Sequence, residues 1–471
     1  YAHMRKKITE DIMKSKFTGL ILAAVLLFGS VGLVGCRPGG SSTVDEYTPN
    51  LDVDYEITET LKVGITADAR EKELIEGLIE GFNEIFPNVT IQPEVIQGTN
   101  YTSALSSYYQ ADLKNPGTMP DILWMSSAES FPLIEEKLFL NLDPYINAEL
   151  ERDSEFLDAF YPEMWKLGQQ NFDGAQYLIP RSADRVVTHI NKGIFKAANV
   201  DMSKVKNGWT WQDFLDTCET IRKYFDENGM TGQYVIDAYI NWEAVMYPIF
   251  LSNGCSVFDE NNQLVVNSEE GRAALNMMNE LVEKRYVAPL NSSAQANYEG
   301  GQGAMMFHSA PASKFYNLLG EDYDLVTFPL IGDQPKIGTG VPGYCIYNKT
   351  QKRDLAWQFL KYMVSEDGQN AFAKAGATNP PIRKDMADPK TNLWGQGVNG
   401  EYKDLNMEAY TYKVEYNQPT DFFLGFAPKK QTELIGNLSD LVTNYLARPG
   451  MGLEAALARF DEEIKATINK R

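Results

Sequence analysis

Histidine and cysteine are the scarcest side chains of chemical consequence, with 3 His and 4 Cys in 471 residues. One of the three is His3, so the rest of the chain offers only His189 and His308. That is too thin a supply for a histidine-built zinc site or a histidine-based catalytic triad. Cys36, Cys218, Cys255 and Cys345 form no C-x-x-C pair, and the last three lie among apolar residues. Buried free thiols are expected there rather than a disulfide framework. Positive charge is also short: 43 Lys+Arg face 64 Asp+Glu, a net charge of −21. Such a surface opposes phosphate backbones and anionic lipid, so no nucleic-acid partner is expected. The chain carries no G-x-S-x-G, no H-E-x-x-H and no G-x-x-x-x-G-K-[ST], which removes the signatures of a nucleophile elbow, a zinc protease and a P-loop. The acidic run Asp259 to Gln263 with Glu270 faintly echoes a calcium loop, but Leu264 stands at its glycine position and a hairpin turn is the better reading. No cofactor and no metal are expected, and no long internal repeat is found. What is present is ordinary for a globular chain, 44 % hydrophobic and 23 % charged, and 471 residues exceed one core, so two or more lobes are expected.

The N-terminus addresses the chain to a membrane surface. Tyr1-Ala2-His3 resembles a cloning remnant; Met4 or Met13 then opens a basic stretch holding Lys14 and Lys16. An uncharged apolar run from Phe17 to Gly35 ends in Leu33-Val34-Gly35-Cys36, which resembles a bacterial lipobox. The alternative is a signal anchor, since the run is nearly long enough to span a bilayer, but an anchor has no need of a cysteine at its end. Residues 1–35 are therefore read as cloning remnant and signal peptide, and 36–59 as a flexible tether from a lipidated Cys36. Cleavage before Cys36 removes five basic and two acidic residues and deepens the net charge from −21 to −24.

Beyond the tether the pattern alternates strand and helix. Leu61 to Thr66 alternates as a strand; Leu74, Ile75, Leu78, Ile79, Phe82, Ile85 and Phe86 recur at helical spacing. Val89 to Val95 is a second strand, Tyr101 to Leu113 a helix, and Asp121 to Met125 an apolar run of buried-strand type. This order predicts a doubly wound α/β sheet whose ligand lies beyond the carboxyl ends of the strands. Asp68, Ser126 and Ser127 fall at those ends. Further on, Thr210 with Asp213 forms a loose capping box, and Leu355 to Met363 and Leu453 to Ile468 read as amphipathic helices.

Several segments in order carry a resemblance. They are Met119-Pro120-Asp121-Ile122-Leu123-Trp124, Phe172 to Pro180 with Ser182-Ala183-Asp184, Gly303-Ala304-Met305-Met306, Gly338-Thr339-Gly340 with Pro342-Gly343-Tyr344, and Ala356 to Tyr362 with Pro380 to Lys384. Together with the lipobox they resemble the extracellular solute-binding proteins of ABC importers, in the sugar-binding group that includes maltodextrin-binding proteins. The resemblance implies a two-lobed, periplasmic-binding-protein-like α/β fold of discontinuous lobes joined by a hinge, 60–180 with 345–416 and 181–344 with 417–471. It implies a lipid-anchored monomer on the extracytoplasmic side that captures a sugar by hinge closure and delivers it to permease subunits in the membrane, with no bond made or broken.

The same resemblance assigns the cleft. Asp184 falls where relatives place a ligand-contacting acid, although a salt bridge with Arg181 or Arg185 is an equal alternative. Tyr239, Asn241 and Trp242 match a segment that supplies an acid and an aromatic; here Trp242 replaces the acid and is read as a stacking platform over core filler. Near His308 many relatives carry a stacking Trp, and this chain has Pro311, which argues against linear maltodextrin. His308 is read as a ligand partner or as a satisfied polar residue. Tyr344 follows a glycine loop, Phe422 and Phe423 match a late crossing, and Trp394 is left between ligand contact and loop packing. Two other classes compete: a surface glycan-degrading enzyme, which needs two flanking carboxylates, and a binding protein for a non-sugar solute or a sensor kinase. Arg181, Arg185 and Arg383 keep an acidic sugar open.

Overall fold

The computed structural model describes residues 47–98, 101–169, 174–288, 290, 298–419, 426, 428–447 and 451–470, without the side chains of 127–129, 131, 428, 429 and 447. Cys36, Phe422 and Phe423 lie outside the described residues. Three sheets organise the rest.

The first sheet has the order β2-β1-β3-β11-β4, with β1 Glu59–Ile65, β2 Val89–Val95, β3 Ile122–Ser126, β4 Leu178–Pro180 and β11 Pro342–Ile346. β1 runs parallel to β2 and β3, and β11 is antiparallel to both β3 and β4. Strands covered on both faces need apolar side chains throughout, as the run of buried residues in β11 and β3 requires. The helix Ala69–Ile85 buries Leu74, Ile75, Leu78 and Phe82 along one face, and Asp68 caps its start by accepting from the Arg70 N–H.

A second sheet, β7-β8-β6-β9, comprises β6 Val187–Asn191, β7 Ile236–Asp237, β8 Met305–His308 and β9 Tyr323–Thr327. The expected capping box is in place: Thr210 and Asp213 satisfy each other's backbone N–H at the head of the helix Trp211–Glu227. The acidic run after Phe258 is a turn closed by the Phe258–Leu264 bridge. Cys218, Cys255 and Cys345 are buried free thiols.

Between these sheets lies a small third one, β12-β10-β5, made of β5 Asp184–Arg185, β10 Ile337–Gly340 and β12 Asn417–Pro419. β5 follows one change of lobe and β10 precedes another, and the apolar cores divide accordingly. One cluster unites residues from Leu51 to Ala183 with Val341 to Ile382; another unites Val186 to Ile337 with Leu434 to Ile464. The segment 384–416, expected in the first lobe, packs Trp394, Met407, Ala409 and Tyr410 into a third cluster with Val187, Phe315, Tyr323 and Leu325 of the second lobe and Ala373 of the first.

Close packing is tightest where β10 crosses. A Cβ on Gly338 would stand 1.8 Å from the Ala244 carbonyl, whereas one on Gly340, two residues on, would meet nothing within 4 Å. Gly338→Ala is therefore expected to cost about 1–3 kcal/mol through overpacking, and Gly340→Ala well under half of that. Urea unfolding of both variants checks it; equal losses would contradict the packing described.

Candidate functional site

The site grows from the carboxyl end of β1. The first turn of the helix Ala69–Ile85 places Asp68, Arg70 and Glu71 at the boundary between the lobes. Arg70 reaches across it, donating from Nη1 to Ser313 Oγ at 3.2 Å, and within its own lobe donates from Nη2 to the Gly376 carbonyl at 2.6 Å. Glu71 is 8 % exposed and faces Arg181, the first residue of the crossing after β4. Arg181 grips it at two points, Nη1 to Oε2 at 2.7 Å and Nη2 to Oε1 at 2.9 Å. The Tyr344 hydroxyl donates to the same Oε2 at 3.0 Å. Burial opposes charge on Glu71, but the Arg181 guanidinium and the Tyr344 hydroxyl outweigh it and hold the carboxyl below its ordinary range.

Above this pair opens a cavity of about 700 Å³. Its walls come from both lobes and from the crossing between them. Asp68, Arg70, Trp124, Gln369 and Phe372 line it from the first lobe, and His308, Pro311, Lys314 and Asn317 from the second. Arg181, Ser182 and Asp184 belong to the crossing, and Asn379, Met386 and Trp394 to the segment between the lobes. That size is within the range of pockets that enclose a small ligand.

Asp184 stands in this wall without an ion pair among the described residues. Both candidate arginines are engaged elsewhere, Arg181 with Glu71 and Arg185 with the carbonyls of Tyr410 and Tyr412. Asn379 Nδ2 donates to Asp184 Oδ1 at 3.0 Å and also to the Ser309 carbonyl at 3.2 Å, tying the acid to the turn after β8. Burial pushes the Asp184 carboxyl up to about 7, with Arg181 opposing that rise. His308 is also on the wall. Its Nδ1 accepts the Ala310 N–H at 2.9 Å, and burial, with Lys314 adding to it, lowers the ring to about 4.

Other expected residues take different places. The Trp242 ring lies against His308, centroids 5.3 Å apart and planes 29° from parallel, and Tyr239 meets the same imidazole edge-on at 5.7 Å. Trp242 thus reaches the cavity wall through His308 rather than as a platform of its own. Asn241 faces the helix Pro428–Ala447, donating to Thr443 Oγ1 at 3.5 Å while its carbonyl accepts from Ser439 at 2.9 Å. Tyr344, expected at the ligand, has no exposed surface; its position in β11, paired with Trp124, points its hydroxyl inward to Glu71. Ser126 ends β3 opposite Pro342, and Ser127 begins the helix Ser127–Glu135 with its side chain outside the described residues. Asp68 is on the cavity wall as the sheet rule implies.

Sequence reasoning missed Arg70, Glu71, Asn379 and Phe372 as wall or support, and left Trp394 undecided. Trp394 is buried, donates its indole N–H to the Met386 carbonyl at 2.8 Å, and lines the cavity. The helix start after β1 was the available signal for Arg70 and Glu71. No group of three His, Cys, Asp or Glu side chains fit for a metal occurs among the described residues.

Two α/β lobes with a polar cavity at their crossing strands define the architecture of a hinged binding protein. The sequence model of the bacterial extracellular solute-binding proteins matches residues 77–397, and the chain belongs to that family. An arabinooligosaccharide-binding protein of Halalkalibacterium halodurans is 22 % identical over 380 residues, 74 % of this chain and 81 % of that one. Among solved structures, an ABC substrate-binding protein of Listeria monocytogenes in complex with cycloalternan superposes with a TM-score of 0.67 at 18 % identity, over 88 % of this chain and 100 % of that one. The GacH receptor of Streptomyces glaucescens, described unliganded and with acarbose, gives 0.65 at 18 % identity with the same coverage. These are binding proteins, and the two-lobed α/β fold is shared with them.

The Asp184 shift has a definite sign. Its folded value near 7 stands above an unfolded value of about 3.9. Between those values the folded chain holds a proton that the unfolded chain has lost, so this group's contribution to stability falls as pH rises through that window. Asp184→Asn should therefore stabilise the ligand-free protein at pH 8 and leave it nearly unchanged at pH 4. Melting temperatures at the two pH values check this, and a gain independent of pH would refute it.

Proposed function

We propose that this protein captures a neutral oligosaccharide in the cavity at the lobe boundary, closes on it by a hinge motion, and hands it to the permease of an ABC importer without chemical change. One observation carries the reading. Every cation on the cavity wall is already engaged: Arg181 with Glu71, Arg70 with Ser313 and Gly376, Lys314 with Glu299. Only Arg70 among them lacks a carboxylate partner, and Asp68, Glu73 and Asp184 share its wall, which disfavours an anionic ligand; a sugar needs what remains. Asp184, Asn317, Gln369 and His308 put acceptors and donors on the wall, and the rings of Trp124 and Trp394 can cover C–H faces. The printed ligands of the relatives, arabinooligosaccharide, cycloalternan and acarbose, support an oligosaccharide class.

Asp68, Asp184, His308 and Trp394 are the proposed ligand contacts, and Ser126, Ser127, Tyr239, Phe422 and Phe423 remain proposed members of the rim. For the lobes we keep the crossing after Pro180 and move the second from after Tyr344 to before Pro342, since Pro342 to Ile346 is a strand of the first sheet and Tyr344 lies in the first core. The third we set ahead of Trp394 instead of at Asn417, since residues 394–410 share a core with the second lobe. The protein acts as a monomer on the extracytoplasmic face, held by lipid on Cys36.

Arabinooligosaccharides, maltose, acarbose and cycloalternan are the first ligands to screen by thermal shift. Saturation to 100 times Kd should add about 2.7 kcal/mol to stability, a clear rise in melting temperature for at least one of them. A flat response to all four, or hydrolysis of any, would overturn the binding reading. Intact mass of detergent-extracted protein should show residues 1–35 absent and Cys36 diacylglycerated; an unmodified Cys36 would sink the anchor.

A further inference from the structure

His308 is placed with more care than a bystander needs. It ends β8, where its carbonyl meets His189 Nε2 at 3.2 Å, and its ring is held on three sides. Trp242 lies against one face, Tyr239 meets it edge-on, and the Ala310 N–H donates to Nδ1. A backbone N–H can only donate, so Nδ1 carries no proton in this arrangement. In a neutral imidazole the proton then sits on Nε2. Nε2 has no hydrogen-bond partner among the described residues, and the residue forms part of the cavity wall. The charged and titratable groups around it are Lys314, paired with Glu299 on the helix Ala312–Leu319 side, Asp184 through the Asn379–Ser309 link, and His189 and Tyr239 behind.

We propose that His308 reads the ligand as a tautomer-locked donor through Nε2–H, with Trp242 and Tyr239 as positioning residues that hold its ring. The inference rests on the oligosaccharide reading above and deepens it. Asn379 bonds both Asp184 and the turn that follows His308, so an acceptor and a donor share one stretch of wall. That pairing fits a hydroxyl donating to Asp184 beside an oxygen accepting from His308, as neighbouring oxygens on a sugar ring supply. It also accounts for a tryptophan next to the site that stacks on protein: its quadrupolar face fixes a neutral imidazole in place and leaves the N–H edge for the ligand.

Two measurements on the full chain test it. In the ligand-free protein at pH 7, ¹⁵N–¹H correlation of the imidazoles should show His308 as the Nε2–H tautomer, with His308→Phe as the assignment control. Trp242→Ala should mix the tautomers at pH 7; lost burial alone would raise the pH at which the ring protonates but leave the tautomer as the Ala310 N–H sets it. The Nδ1–H form in the parent protein, or an unchanged tautomer in Trp242→Ala, overturns the proposal. Affinity is then measured by calorimetry for the sugar giving the largest thermal shift among arabinooligosaccharides, maltose, acarbose and cycloalternan. His308→Phe keeps an aromatic ring against Trp242 and loses the donor, so binding should weaken about tenfold or more. His308→Gln, whose amide nitrogen reaches a similar point, should stay within about threefold of the parent. If the parent binds and His308→Phe binds equally well, this proposal falls and the oligosaccharide reading stands. If the parent binds none of the four, both fall.

Discussion

A buried guanidinium where the chain leaves the first lobe is the constraint on which the rest of the site depends. Arg181 is shielded from water and must be neutralised locally, and Glu71 does so at two points. Removing either partner of such a pair leaves an uncompensated charge at a cost of about 3–5 kcal/mol. The pair therefore pins the first turn of the helix Ala69–Ile85 against the start of the crossing. It also decides the fate of its neighbours. Tyr344 is drawn inward to Glu71 and becomes part of the support. Asp184, without an ion pair to Arg181, is left as a carboxyl on the wall bonded to the Asn379 amide.

The crossing itself is a sheet of short strands, and short strands make a compliant joint between two large cores. β5, β10 and β12 share few residues, yet β10 is packed so closely on the helix Glu243–Ser252 that Gly338 admits no side chain. Packing on the second-lobe side anchors the joint at Gly338, while the space beside Gly340 is open. Contacts across the cavity include polar ones. Arg70 meets Ser313, and the Ser313 N–H donates to Thr378 Oγ1 at 3.1 Å. Bonds of this kind exchange readily with water.

Most of the fold was legible because its elements carry strong local periodicity. Val89–Val95 appears with the bounds that its alternation implies, and the capping box at Thr210 is set by four consecutive residues. Asp68 was legible too, because the carboxyl end of a parallel strand is a position that topology alone defines. Tyr344 and Trp242 were not. Family position placed both near the ligand, but whether a side chain turns toward a cavity or away from it depends on which partner claims it. Glu71 claims Tyr344 and His308 claims Trp242, and neither pairing has any sequence proximity to announce it. The segment 384–416 escaped for a related reason: its 3-10 turns carry no period, and only its contacts with Val187 and Tyr323 say which lobe it packs on.

Charge bookkeeping across the cavity gives the ligand its character. A net charge of −21 says nothing about the interior of a site, because surface acids are solvated individually. Inside, the balance is made by specific pairs, and each cation of the wall is committed to a carboxylate, a carbonyl or a hydroxyl of the protein itself. Beside them stand a carboxyl raised to about 7, Asp184, and an imidazole held neutral, His308, joined through Asn379 and the turn after β8. A ligand bearing negative charge would meet Asp68, Glu73 and Asp184 on the same wall, with Arg70 the one cation there not paired to a carboxylate among the described residues. A polyhydroxylated neutral ligand meets no such opposition; each of its hydroxyls both donates and accepts, and it is the class for which an acceptor and a donor side by side are complementary.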